Sequence, residues 1–356
     1  MTLDNRIKAF ITLGEFLKQF SDNKSKNTHN PLNVHFYSDF EELLTRVSQH
    51  NAWFTEKNVR YALTAIAGSL DRNQLQEWIN PYQDAIQNQK KVHRIAVIMA
   101  GNIPLVGFHD FLCVLLSGNR FLGKCSTDDQ LLLPFISKIV MHIAPEFEGF
   151  IEFTEGQIKQ MDAVIATGSN NTSRYFEYYF SKYPCIIRRN RNSVAILTGK
   201  ETKEELTKLG EDVFRYFGLG CRNVSKLFVP RGYVFDLFYE AILDYQDVIQ
   251  VNKYGNNYDY NRTLYLMSGD PTLLDNNFLL LKESVLYPSP IGVLFYEFYD
   301  DLKELSARLK NDEAEIQCIV SSKGMIDNSM PFGQAQCPAL GDYADGVDTM
   351  KFLTSL

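Results

Sequence analysis

Residues 92–104 read Val-His-Arg-Ile-Ala-Val-Ile-Met-Ala-Gly-Asn-Ile-Pro, a short apolar run that passes directly into a turn. A run of this length, bounded by glycine, asparagine and proline, is typical of a strand that is buried on both faces of a sheet. Similar runs follow at residues 120–124, 163–166 and 193–197, and segments with helical spacing separate them. Because strands that alternate with helices form parallel sheets, the sequence predicts a doubly wound α/β domain of the Rossmann type.

The same alternation begins anew after Gly199. A helix is predicted over residues 203–217, Cys221 follows it, and a strand is predicted over residues 226–229. Further elements are predicted as a helix at residues 233–243 and as strands at residues 262–266, 291–296 and 316–320. This part of the chain is therefore predicted to form a second α/β domain.

The first ninety residues are predicted to be mainly helical. Apolar side chains recur at three- and four-residue spacing between Ile7 and Phe20, and again over residues 40–66. Residues 21–33 are polar and contain a proline, which predicts a linker between the two helices.

Together these elements predict three parts of the chain. Residues 1–198 hold the N-terminal helices and a dinucleotide-binding domain, and residues 199–328 hold the catalytic domain. Residues 329–356 are predicted to return to the cofactor domain or to form an oligomer interface.

The bulk properties exclude several classes of protein. The 43 acidic residues outnumber the 36 basic ones, so the net charge of −7 argues against binding to nucleic acid or to an anionic membrane. No apolar run approaches the roughly 20 residues of a membrane span, and residues 1–6 lack the features of a signal peptide. We therefore expect a cytoplasmic protein without a stable membrane anchor.

The cysteines and histidines do not follow the spacing patterns of disulfide-bonded or metal-binding proteins. The six cysteines fall singly along the chain, and no histidine lies at the spacing of a metal ligand. We therefore expect neither disulfides nor a metal site.

Cys221 stands out among the cysteines because it follows a Gly-x-Gly turn, in the run Gly218-Leu219-Gly220-Cys221-Arg222-Asn223. A thiol between a helix and a strand, beside a cation such as Arg222, has the surroundings of a nucleophilic thiolate. The alternative is a buried cysteine in a glycine-rich turn, since cysteine is among the most buried residue types.

Several polar residues elsewhere in the chain are candidates for a ligand site. They are Asn102, Lys124, Ser126, Gly168, Ser169 and Glu283. Taken singly, each has a simpler interpretation as a turn residue, a solvated charge or a helix cap. Their order along the chain is more informative than any one of them.

From about residue 92 to the C-terminus this order resembles that of the aldehyde dehydrogenase superfamily. The resemblance implies that Cys221 is the catalytic thiol and that Asn102 donates a hydrogen bond to the oxyanion. It also implies a nicotinamide cofactor, with Lys124 and Ser126 at its adenosine ribose, Gly168 and Ser169 under its pyrophosphate and Glu283 at its nicotinamide ribose.

Two departures from the superfamily affect the expected chemistry. Residues 187–192, Ile-Arg-Arg-Asn-Arg-Asn, stand where classical members carry a Glu-Leu-Gly-Gly stretch whose glutamate activates the hydrolytic water. Without a general base, attack of water on the thioester slows by roughly 10²–10⁴-fold. The three arginines are open to two interpretations, as phosphate ligands or as solvated side chains. Residues 171–173, Asn-Thr-Ser, replace the second glycine of the pyrophosphate turn, which leaves the cofactor and its pose open.

Within the superfamily the chain most resembles the acyl-CoA reductases of the LuxC type. That resemblance implies reduction of an acyl thioester to the aldehyde with NADPH, or with NADH as the alternative, and CoA as leaving group or co-substrate. It implies acyl-CoA or an acyl-carrying protein as partner, and we expect a homo-oligomer. Two alternatives stay open, namely a hydrolytic aldehyde dehydrogenase and a catalytically silent binding or scaffold member of the fold.

Overall fold

A computed structural model describes residues 1–21, 26–322, 325–326 and 328–356. The chain divides into two compact units, of which the first comprises Met1–Arg189 with Ala339–Leu356 and the second Asn190–Pro338. Each unit is built around one sheet of mostly parallel strands.

The described residues form helices and strands that are numbered in chain order. The α-helices are α1 (Leu3–Leu17), α2 (Asn33–His50), α3 (Glu56–Ser69), α4 (Arg72–Ile79), α5 (Gln83–Gln87), α6 (Phe108–Leu116), α7 (Leu132–Ile143), α8 (Asn170–Phe180), α9 (Lys203–Phe214), α10 (Asp236–Ala241), α11 (Asn252–Ser268), α12 (Leu302–Asn311) and α13 (Thr349–Thr354). The strands are β1 (Arg94–Ile98), β2 (Arg120–Lys124), β3 (Ile151–Phe153), β4 (Ala163–Thr167), β5 (Cys185–Arg188), β6 (Asn192–Ile196), β7 (Val224–Pro230), β8 (Leu274–Asp275), β9 (Leu280–Glu283), β10 (Val293–Tyr299) and β11 (Ile316–Ser321).

The first sheet has the strand order β3-β2-β1-β4-β5, and all of its strands are parallel. The chain winds from β1 towards one edge and then crosses to β4 on the other side, which is the order of a Rossmann fold. The predicted doubly wound α/β class is therefore confirmed. In such a sheet ligands bind beyond the carboxyl ends of the strands where the winding direction reverses, which is between β1 and β4 in this sheet.

The N-terminal helices complete the core of the first unit. Phe10, Leu13 and Leu17 of α1 recur at helical spacing and are fully buried. The single helix predicted over residues 40–66 is wrong, because α2 and α3 are separate. Between them the buried side chain of Asn51 accepts a hydrogen bond from the Trp53 N–H, which breaks the helical hydrogen-bond pattern. Of the predicted linker, residues 22–25 lie outside the described residues.

The second sheet has the order β11-β6-β7-β10-β9-β8, with only β8 antiparallel to its neighbour among the described strands. Its β6 covers the stretch that the sequence predicts as the fourth strand of the first sheet. That assignment is wrong because β6 pairs with β7 and β11, so the boundary predicted at 198/199 lies instead at 189/190.

A further correction concerns residues 262–266, for which the sequence predicts a strand. They lie in α11, where the buried residues Tyr254, Tyr258 and Asn261 follow at four- and three-residue spacing. Among the described residues, no helix has the length and apolar character that a bilayer span requires.

A buried ion pair joins three elements of the first unit. The Arg188 guanidinium, at the end of β5, donates two hydrogen bonds to the Asp110 carboxylate on α6, at 2.6 and 2.9 Å. It also donates to the Thr349 hydroxyl on α13 at 3.0 Å, and both charged side chains are less than a tenth exposed. The interpretation of Arg188 as a phosphate ligand or a solvated side chain is therefore wrong. Its neighbour Arg189 is exposed and pairs with Glu177.

Arg188→Ala is expected to destabilise the chain by about 3–5 kcal/mol, because it leaves the Asp110 carboxylate buried without its partner. Arg189→Ala is the matched control, and an exposed pair of this kind contributes only about 0–1 kcal/mol. Urea denaturation of the two variants measures the difference. Equal effects of the two substitutions would contradict a structural role for Arg188.

Candidate active site

Cys221 lies in a tight turn between α9 and β7. After α9 ends, three successive residues adopt left-handed backbone conformations, Tyr216 with φ 52°, Phe217 with φ 58° and Gly218 with φ 78°. Such angles are unfavourable for residues other than glycine. The Cys221 side chain that follows is exposed. The nucleophile candidate is thus presented to solvent by a strained segment of backbone.

The turn itself is closed by Asn223. The Asn223 N–H donates to the Gly220 carbonyl at 2.9 Å, and the Gly220 N–H donates to the Asn223 side-chain oxygen at 2.8 Å. Cys221 is therefore held in a four-residue turn whose two ends are joined by reciprocal hydrogen bonds. Asn223 is almost completely buried.

A hydroxyl and a second thiol lie behind the turn. The Ser193 hydroxyl on β6 donates to the Cys221 carbonyl at 2.9 Å and lies 3.0 Å from the Cys318 sulfur on β11. These contacts attach the turn to two neighbouring strands of the second sheet.

The Arg222 charge acts on this second thiol. Burial raises the pKa of Cys318 to about 11, and the Ser193 hydroxyl and then the Arg222 guanidinium oppose that rise. Arg222 also contacts the Met330 sulfur at 3.8 Å.

The surroundings of the six cysteines, all of which lie in the described part of the chain, separate them into two groups. Burial is the main cause that raises the thiol pKa in Cys113, in Cys125 (to about 12), in Cys185 and in Cys318. Cys221 and Cys337 are exposed. Exposure therefore restricts the nucleophile candidates to these two, and the Gly-x-Gly turn favours Cys221.

In the first unit, five of the predicted site residues meet at one edge of the sheet. Ile98, at the end of β1, pairs with Lys124 of β2 and with Ala166 of β4. The residues that follow these strands are Asn102 after β1, Ser126 after β2, and Gly168 and Ser169 after β4. Together with Lys124 they lie at the carboxyl edge, where the reversal of winding predicts a ligand site.

The turn after β4 is the N-terminus of α8. The Ser169 hydroxyl caps the helix by accepting the Thr172 N–H at 3.2 Å, and helix N-termini of this kind bind anions. A Cβ atom on Gly168 would lie 3.0 Å from Thr172 and from the Phe176 ring. Glycine at 168 thus allows the turn to pass close to Thr172 in the first turn of the helix.

The turn after β1 is fixed by a buried carboxyl group. Leu105, three residues after Asn102, has a left-handed φ of 59°, and its N–H donates to the Asp129 carboxyl at 2.7 Å. Burial raises the pKa of Asp129 to about 6, although the Leu105 N–H opposes the rise. A Cβ atom on Gly101 would lie 2.7 Å from the Ser126 side chain. The segments that carry Asn102 and Ser126 are therefore in direct contact.

Glu283 is not brought near Cys221 within the second unit. It ends β9 and pairs with Tyr296, which in turn pairs with Leu227 of β7. Cys221 precedes the amino end of β7, whereas Leu227 lies three residues into that strand, a distance of about 10 Å along it. The contact of Glu283 with the nicotinamide ribose stays a prediction.

The segment that does approach the Cys221 turn is the connection from β9 to β10. Ser225 of β7 donates to the Tyr287 carbonyl at 2.9 Å. Ser289 and Pro290 line, together with Gly218, a cavity of about 30 Å³.

Sequence reasoning missed Asn223 and Asp129, the two side chains that hold these turns. Asn223 belongs to the run quoted for Cys221, and the only available signal was a polar residue two positions after the thiol. Asp129 is one of two adjacent aspartates, and nothing in the sequence indicates which of them is buried against Leu105.

Comparison with known proteins identifies relatives of the chain. A family model described as "Acyl-CoA reductase (LuxC)" matches residues 6–236. No curated protein sequence matches the chain significantly.

Several solved aldehyde dehydrogenases have a similar fold. Aldehyde dehydrogenase 21 from Physcomitrella patens, in complex with its reaction product succinate, has a TM-score of 0.68 at 13% identity, covering 100% of this chain and 84% of that one. The indole-3-acetaldehyde dehydrogenase AldA of P. syringae has a TM-score of 0.62 at 12% identity, covering 94% and 75%. An aldehyde dehydrogenase from Bacillus cereus, in its NAD+ complex, has a TM-score of 0.60 at 13% identity, covering 90% and 72%. The fold is thus that of the aldehyde dehydrogenases, as predicted.

Asp129→Asn is expected to change how stability depends on pH. Burial raises the pKa of Asp129 from 3.8 in the unfolded chain to about 6 in the folded chain. Between these two pH values the folded chain keeps a proton that the unfolded chain has lost. The stability of the wild type therefore falls as the pH rises from about 4 to about 6. Asparagine retains an oxygen for the Leu105 N–H and does not ionise.

The stability of Asp129→Asn relative to wild type should therefore rise by up to about 3 kcal/mol between about pH 4 and pH 7. Urea denaturation at both pH values measures this difference. A difference that is independent of pH would contradict the buried position of the carboxyl group.

Proposed function

Because the chain belongs to the acyl-CoA reductase (LuxC) family, we propose that it reduces an acyl thioester to the aldehyde with NADPH, through a covalent thioester on Cys221. The family and the aldehyde dehydrogenase fold make it an oxidoreductase that acts on aldehydes or acyl groups. The observation that carries the finer proposal is the exposed Cys221 thiol in a turn fixed at both ends.

The first step is acyl transfer to the protein. The Cys221 thiolate attacks the carbonyl carbon of the acyl thioester, a new carbon–sulfur bond forms, and the bond to the donor sulfur breaks as that thiol takes a proton. We assign to the Asn102 amide the hydrogen bond that stabilises the oxyanion formed during this attack. The donor is acyl-CoA or an acyl group on a carrier or transferring protein.

The carboxyl edge of the first sheet fits a dinucleotide. The N-terminus of α8, capped by Ser169, offers backbone N–H groups to a pyrophosphate, and Gly168 lets the turn approach the ligand while its own N–H donates to the Arg188 carbonyl at 3.3 Å. At the end of β2, where NAD-binding folds often place an acidic residue against the ribose hydroxyls, this chain has Lys124. Its ammonium group suits a ribose phosphate, which favours NADPH over NADH, and Ser126 lies beside it in sequence. When bound, NADPH supplies the hydride that converts the acyl group to the aldehyde.

Two ionisable groups, Arg188 in the first unit and Asp212 in the second, make contacts that favour reduction over hydrolysis. The stretch that replaces the water-activating glutamate carries arginines, and Arg188 is committed to the buried pair with Asp110. Burial raises the pKa of Asp212 to about 7, a range suited to a general base. However, Asp212 is inaccessible to solvent, and its two oxygens accept the Gly333 and Ala335 N–H groups at 2.6 and 2.9 Å. It is therefore kept from activating a water.

Incubation with an acyl-CoA in the absence of cofactor should add the mass of one acyl group to the wild-type chain. Cys221→Ala should gain no adduct, because the attacking sulfur is absent. Cys337→Ala is the matched control, since Cys337 is the other exposed cysteine, and it should acylate like wild type. Intact-mass spectrometry measures all three, and an adduct on Cys221→Ala at the wild-type level would refute the proposal.

The acyl adduct should persist in buffer and disappear when NADPH is added. Its hydrolysis lacks a general base, whose absence costs roughly 10²–10⁴-fold, whereas hydride transfer needs none. Mass spectrometry follows the adduct, and aldehyde capture with a hydrazine reagent follows the product.

Two other results would favour a different function. Aldehyde oxidation that continues without CoA would indicate a hydrolytic aldehyde dehydrogenase. Failure to bind either nicotinamide cofactor would indicate a catalytically silent member of the family.

A further inference from the structure

We propose that Asn223 is the positioning residue of the Cys221 thiol, and that its side-chain amide fixes the direction from which the thiol meets an acyl carbonyl. This role rests on the proposed function. Asn223 acts on the reaction through the backbone of the turn rather than by touching the substrate.

The Asn223 side chain connects both ends of the strained segment. Its oxygen accepts the Gly220 N–H, directly before Cys221. Its nitrogen lies within hydrogen-bond distance of three carbonyl oxygens before the segment, those of Asp212 (3.0 Å), Val213 (3.4 Å) and Arg215 (2.7 Å). One amide thus bridges the end of α9 and the turn of the nucleophile.

The segment between these attachment points needs such a bridge. Tyr216 and Phe217 are non-glycine residues in left-handed conformations, which persist only where the surrounding structure imposes them. Both side chains are buried, which holds one side of the segment, and the Asn223 bonds hold its backbone. Without the Asn223 amide, the Gly220 N–H after the strained residues and the carbonyl groups at the end of α9 before them lose this hydrogen-bond partner.

Few side chains can replace this amide. The position requires an acceptor facing Gly220 and a donor facing the carbonyls at the end of α9, and of the side chains of this size only asparagine carries the two on separate atoms. Aspartate keeps the acceptor and loses the donor, and alanine loses both. The two substitutions therefore separate closure of the turn from its attachment to α9.

A matched control is available in the same unit. Asn261 on α11 is also buried, and its side-chain nitrogen donates to the carbonyls of Asn257 at 2.9 Å and Ile291 at 3.1 Å. Asn261→Ala removes a comparable buried amide that makes none of the hydrogen bonds of the Cys221 turn. Because its partner Ile291 lines the same cavity as Gly218, it shows what loss of a nearby buried amide does to the reaction while the Asn223 bonds stay in place.

The experiment compares two reactions of the same thiol in the full-length chain. Transfer from an acyl-CoA needs a defined angle of attack, whereas alkylation by iodoacetamide needs only an accessible thiolate. In Asn223→Ala the rate of acylation should fall on the order of 10–100-fold, while alkylation of Cys221 stays close to wild type. Asn261→Ala should leave both rates unchanged. Mass spectrometry of the peptide containing residue 221 measures both rates.

Each result distinguishes between the proposals. If wild type is acylated and Asn223→Ala is acylated equally fast, the positioning role is wrong and the proposed function stands. If wild type forms no acyl adduct, the proposed function is wrong and the positioning role with it. If Asn223→Ala does not fold, Asn223→Ser, which adds no buried charge and has a single hydroxyl that cannot bridge Gly220 and the end of α9 at once, takes its place, and slow acylation with normal alkylation is again the expected result.

Discussion

The hydrogen bonds between the Asn223 side chain and the backbone on either side of Tyr216 and Phe217 are the constraint on which the thiol turn depends. Left-handed conformations at two successive bulky residues are unfavourable in isolation. They are retained because the side chains are buried and the adjoining main-chain groups are bonded to an amide that does not ionise. A charged side chain in this place would add the cost of burying its charge.

In the first unit, a carboxyl group rather than an amide holds a similar turn. Leu105 is also left-handed, but the group that binds its N–H is the Asp129 carboxyl. Because that carboxyl is buried, its ionisation opposes folding as the pH rises. The turn that carries Asn102 is therefore sensitive to pH through Asp129, whereas the Asn223 amide does not titrate.

The parallel strand order explains why much of the site could be predicted from sequence. Asn102, Lys124 and Ser169 are far apart in the chain, yet each lies at or after the end of a strand of the same sheet, and parallel strands end at the same edge. Recognition of the strands therefore explains why these residues lie at one edge, whereas their roles as site residues were implied by the resemblance to the aldehyde dehydrogenase superfamily. Glu283 also ends a strand, but Cys221 precedes one, so within the second unit the two lie towards opposite ends of parallel strands.

What could not be predicted depends on pairings between distant segments. The apolar stretch of β6 fits either sheet, and its place was decided by β7 and β11, which lie farther along the chain. The structural role of Arg188 could not be predicted either, because its partner Asp110 is 78 residues away in sequence. Local patterns specify that a segment is a strand or that a charge is present, and only the tertiary structure specifies the partner.

These pairings also bear on the fate of the thioester. Arg188 belongs to the stretch that, by the resemblance, replaces the water-activating glutamate, and it is buried and bonded to Asp110 and Thr349. Asp212 has a pKa suited to a base, but both of its oxygens bind backbone N–H groups away from solvent. Both groups are thus engaged in holding the fold. In the proposed reaction, these contacts favour a Cys221 thioester that lasts until hydride transfer.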